Sequence, residues 1–77
     1  MSHQEIADDY GQVIAVIDDR TRVINCKDDI QWIVQHRSGG QWRNKAFCRR
    51  RATLLRLLPK VDVTTASLLE TLAEIHP

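Results

Sequence analysis

The strongest constraint on this chain lies between residues 30 and 48. Ile30-Gln31-Trp32-Ile33-Val34-Gln35-His36-Arg37 is rich in β-branched and aromatic residues, Gln41-Trp42-Arg43-Asn44-Lys45-Ala46-Phe47-Cys48 alternates in its turn, and Ser38-Gly39-Gly40 separates the two runs. Two β-prone segments joined by a short glycine turn specify an antiparallel hairpin. Read as a three-residue loop, the turn sets His36 opposite Trp42, Val34 opposite Asn44, Trp32 opposite Ala46 and Ile30 opposite Cys48. That face is mostly apolar. The reverse face, with Gln31, Gln35, Arg37, Gln41, Arg43 and Lys45, is mostly polar and basic, so the reading is consistent with itself.

The flanking segments extend this hairpin. Residues 21–26, Thr-Arg-Val-Ile-Asn-Cys, read as a preceding strand that turns through Lys27-Asp28-Asp29. This places Ile24 beside Trp32 and Val23 beside Ile33. Residues 12–18 carry four β-branched residues, which favours a strand. Ile6, Tyr10, Val13, Ile14 and Ile17 also recur at helical spacing, leaving a helix over 3–17 as the competing reading. Residues 51–58 predict a helix whose apolar side is Leu54, Leu55, Leu57 and Leu58, ended by Pro59. Residues 65–75 predict a second, capped by Thr64 or Thr65 and burying Ala66, Leu69, Leu72, Ala73 and Ile75. The expected fold is α+β: an antiparallel meander of three or four strands, then two C-terminal helices on the face that carries Trp32 and Trp42. With 77 residues there is room for one domain with a thin core, residues 1–10 being expected to be flexible.

Charge is segregated along the chain. Residues 1–19 hold five acids and no base, residues 61–77 hold three acids and no base, and residues 37–60 hold eight bases and no acid. Six of those eight are arginine, which suits bidentate contact with phosphate or carboxylate. Two functions follow. The first is contact with DNA or RNA through Gln35, Arg37, Arg43, Lys45, Arg49, Arg50 and Arg51. The second is a protein partner or homodimer held through Ile14, Val16, Val23, Ile33 and Phe47, an apolar band on the second sheet face. The acidic ends could also fold back and neutralise the basic middle.

Other chemistry finds little support. Cys26, His36, Cys48 and His76 form no C-x-x-C or H-x-x-x-H pair, so neither metal nor cofactor is expected. Cys26 and Cys48, adjacent in the register above, read as two small buried thiols. His36 and Cys48 lie about 20 Å apart along the hairpin at strand rise, too far for a base and its nucleophile. Asp18-Asp19 and Asp28-Asp29 sit in turns, where aspartate serves the backbone. Trp32 and Trp42 could stack on bases, but the register assigns both to the core. The chain reads as a non-enzymatic, cytoplasmic binding protein with no membrane segment or signal peptide.

The run IQWIVQHRSGGQWRNKAFCRRRATLLRLL resembles a core of small bacterial and prophage-type proteins to which no activity is assigned. Three strands followed by a helix, with a basic sheet face, is similar in element order to the DNA-binding arms of phage-type integrases. Were residues 3–17 helical, the order would resemble a double-stranded-RNA-binding domain, with Arg49-Arg50-Arg51 at its basic helix start.

Overall fold

The computed structural model describes residues 4–77. Its elements are β1 (Val13–Asp18), β2 (Thr21–Asn25), β3 (Trp32–Ser38), β4 (Gln41–Cys48), α1 (Arg51–Leu57) and α2 (Val63–Glu70). The strands form one antiparallel sheet in the order β1-β2-β3-β4. The fold class is α+β, with four strands and then two helices.

Next to the turn the β3–β4 register differs from the expected one by a single residue, and there the difference reverses faces. Ser38 pairs with Gln41, leaving a loop of two residues, Gly39 and Gly40. Their φ angles are 60° and 77°. Two successive positive values define a type I′ turn, which matches the twist of a hairpin and excludes most side chains. From that turn His36 opposes Arg43 and Arg37 opposes Trp42. Beyond Gln35–Asn44 the pairing shifts, and Val34 opposes Ala46, Ile33 opposes Phe47, and Trp32 opposes Cys48. Lys45 is the extra residue of this bulge. On the other side of β3, Ile24 pairs with Ile33 and Val23 with Val34. Trp32, Val34 and Val23 therefore share the helix-bearing face. Trp42, expected on the same face as Trp32, lies on the opposite one.

Each face has its own core. Under the helices Ala15, Val23, Trp32, Val34, Cys48, Leu54 and Leu69 pack together, flanked by Ile14, Ile17, Ala46, Leu55, Leu58 and Leu72. Pairing in β1 skips Ile14 and Ile17, and both of these bulge residues pack against the helix-side core. The helix-like spacing of Ile14 and Ile17 in the sequence is the trace of these two bulges. The second face is covered by residues 4–12. Tyr10, Ile24, Cys26 and Ile33 pack there with Val13, and the Tyr10 hydroxyl donates to the Asn25 carbonyl at 2.8 Å. Residues 5–9 form turns rather than a helix. Residues 1–3, part of the segment expected to be flexible, lie outside the described residues.

Cys26 and Cys48 belong to different cores on opposite faces, not to neighbouring positions on one. The second helix is also shorter than expected. Asp62, rather than Thr64 or Thr65, caps it by accepting a bond from the Thr65 backbone amide at 2.7 Å. It ends at Glu70, and the tail then returns to β4 as extended chain. His76 N donates to Arg49 O at 2.6 Å and Arg51 N to Glu74 O at 2.9 Å, with a bridge between Arg50 and Ile75. Ile75 and Ala73 are exposed in consequence, while the buried His76 ring sits edge-on to Trp32, 4.9 Å between centroids.

Candidate functional site

The basic residues divide into those bound to protein oxygen and those left open. Arg22 alternates with the buried Ile24 on β2, so its side chain enters the second face, where it is only 2 % exposed. Its Nε donates to Gln35 Oε1 at 2.6 Å. Nη2 donates to the carbonyls of Glu5 at 3.0 Å and Ala7 at 2.9 Å, and Nη1 to that of Asp8 at 3.4 Å. Its Cζ lies 4.4 Å from the centre of the Trp42 ring. Burial lowers the Arg22 pKa, an effect opposed by Asp8 and reinforced by Arg37. The arginine stays charged in practice because carbonyl dipoles and an aromatic face replace water around it.

Gln35 belongs to the same cluster. Its Nε2 donates to Glu5 O at 2.9 Å and Asn44 Oδ1 at 2.8 Å, and the residue is 0 % exposed. The sequence pattern had pointed to an open face for it. Arg37 lies over Trp42 at 5.5 Å and pairs with Asp8 at 3.3 Å. The acidic N-terminal segment thus does fold back on the basic hairpin, though chiefly through its backbone carbonyls.

Arg51 plays a comparable part at the other end. Its Nη1 donates to Glu70 O at 3.0 Å and Leu72 O at 2.9 Å. These carbonyls close α2, where a cation is favourable to the helix dipole. A base at the start of α1 is unfavourable to that helix, and its hold on α2 supplies a compensating bond.

The remaining bases of the central stretch are open. Arg43, Lys45, Arg49, Arg50, Arg56 and Lys60 are all exposed. Among the described residues none of their side chains makes an ion pair or hydrogen bond. Arg43 and Lys45 lie on β4, an edge strand of the sheet, Arg49 lies in the bend that follows it, and Arg50 is extended and bridges to Ile75. Arg56 closes α1 and Lys60 follows Pro59.

The apolar band of the sequence reading is dispersed. Val23 is sealed under the helices, Ile33 lies beneath Tyr10, and Ile14 packs with the helix-side core. Val16 and Phe47 are exposed, but on β1 and β4, the two edges of the sheet. Arg22 is the residue that sequence reasoning passed over. Its signal was an arginine in step with Ile24 within a strand, which places a cation on a buried face.

Among the described residues no group of three or more His, Cys, Asp or Glu side chains is placed to share a metal ion, and no helix is long and apolar enough to cross a membrane. No protein-family model, curated protein or solved structure matches the chain.

Proposed function

We propose that this chain is a non-enzymatic binding protein that takes nucleic acid along the exposed bases of β4 and of the segment that leads from it into α1. The observation that carries this reading is the contrast between the bases the fold uses and those it leaves open. Arg22, Arg37 and Arg51 are engaged with protein oxygens, whereas Arg43, Lys45, Arg49, Arg50, Arg56 and Lys60 are exposed and unpaired among the described residues. Charge on an edge strand also discourages strand-to-strand association, which accounts for Arg43 and Lys45. Arg49, Arg50, Arg56 and Lys60 lie outside the strand and have no such duty. A polyanion that neutralises such a row releases counterions, a gain that needs no preformed pocket. Two free, buried cysteines fit a reducing, cytoplasmic setting.

Fluorescence anisotropy with labelled oligonucleotides over a salt series tests the reading. Four neutralised phosphates would give a slope of log K against log salt of about −3 to −4. Replacing Arg49 and Arg50 by glutamate should flatten that slope by about one unit for each phosphate no longer neutralised. Absence of binding at roughly 50 mM salt, where such attraction is strongest, would sink it.

A further inference from the structure

We propose that Phe47 is a stacking platform for an unpaired base, which makes the partner single-stranded nucleic acid. The inference rests on the nucleic-acid reading above and goes on to choose the class of polymer. Phe47 is the chain's one phenylalanine and is 57 % exposed, whereas Tyr10, Trp32 and Trp42 are all buried. It pairs with Ile33 and so belongs to the second face, but the segment that seals Ile33 leaves it open.

Its neighbours along the strand are cations. Exposed Phe47 and exposed Arg49 flank the buried Cys48, and Arg49 lies in the bend by which the chain leaves β4. Ring and guanidinium thus belong to two exposed positions separated by one buried residue. The exposed Lys45 lies on the other side of the ring in sequence, at the bulge. A flat aromatic surface beside unpaired cations is what a single strand engages, its bases on the ring and its phosphates on the charges. A duplex keeps its bases stacked on one another and offers only their edges, which a bare ring does not read.

The test uses the full chain with an oligothymidylate and a duplex of equal length. Phe47→Leu should weaken single-strand binding about 5- to 150-fold, the equivalent of one missing stack. Duplex binding and the salt slope should be unchanged, and Phe47→Tyr should retain the affinity. In Phe47→Trp the new indole should be quenched by the oligothymidylate and not by the duplex. Thermal melts of each variant establish that the fold is intact. Unaltered single-strand affinity in Phe47→Leu, or an equal loss on the duplex, would overturn the inference and leave the nucleic-acid reading standing. If the unaltered chain binds neither polymer at low salt, the nucleic-acid reading itself fails and the assignment of Phe47 falls with it.

Discussion

Arg22 and Gln35 are directly opposed on β2 and β3, and their side chains meet at 2.6 Å inside the second face of the sheet. Between them they hold the backbone of residues 5–8 against the sheet, the Glu5 carbonyl accepting from both. A lysine at position 22 has three donors on one point and no planar fork, so it cannot serve Gln35 and three carbonyls at once. Arg22→Lys is expected to cost about 2–3 kcal/mol, because buried acceptors lose their donors. In a urea-melt cycle with Gln35→Leu, the two changes should couple by about 0.5–3 kcal/mol, as residues in one network do. Strict additivity would show that the two side chains act separately.

The Gly39-Gly40 turn fixes which face every residue of β4 presents. Both glycines have positive φ, and a Cβ at either would meet nothing within 4 Å. The restriction is conformational rather than steric. Asparagine tolerates the left-handed region, so Gly39→Asn should be neutral or slightly stabilising, since it also narrows the unfolded ensemble. Gly39→Val should lose about 1–2 kcal/mol, because a β-branched residue resists that region. Chemical denaturation of the two variants side by side checks the ordering.

Strand and helix positions were legible because β-branched runs, glycines and Pro59 punctuate the chain. Strand register was not. Whether Ser38 belongs to the loop or to β3 depends on the φ of two glycines, and that one-residue choice moves Trp42 from one face to the other. The Lys45 bulge then restores parity for Ala46 and Cys48, which is why the expected register puts those two on the helix side despite the slip. The candidate site was legible as a charge run. Its division was not, because a sequence does not reveal that Arg22, Arg37 and Arg51 satisfy backbone carbonyls and a carboxylate from segments far along the chain. The early end of α2 was hidden for a similar reason: the apolar Ile75 continues the helical spacing but lies in the tail that bridges to Arg50.

The two thiols give a simple probe of the two cores. Cys26 accepts a bond from Ile30 N at 3.2 Å on one face, while Cys48 packs beneath the helices on the other, where burial raises its pKa. A thiol sealed in a core reacts only when the fold opens, and both cysteines are buried. Both cysteines should resist a thiol reagent at neutral pH and react at the rate of unfolding in urea. Mild oxidation of the native protein should give no intramolecular disulfide, since the sheet lies between the sulfurs. A crosslinked monomer on a non-reducing gel would contradict the arrangement.

Asp62 ties the stability of α2 to pH. Its carboxylate accepts from the Thr65 amide, and this bond lowers its pKa from the ordinary value of 3.8. A group whose pKa is depressed by folding stabilises the fold above its unfolded value and ceases to do so as pH falls through its folded value. The contribution is therefore whole at neutral pH and fades in the acid range below 3.8. Asp62→Ala should lower the melting temperature at pH 7 and speed amide exchange in the first turn of α2. The difference from the unaltered chain should shrink as the solution is acidified past the folded pKa. Asp62→Asn retains an oxygen that can accept from Thr65 without a charge, so it should keep much of the cap while removing the pH dependence. Melts of the three proteins from pH 7 down to about 2.5 separate the cap from its charge. A gap between Asp62→Ala and the unaltered chain that stays constant across that range would mean that ionisation of Asp62 plays no part in holding the helix.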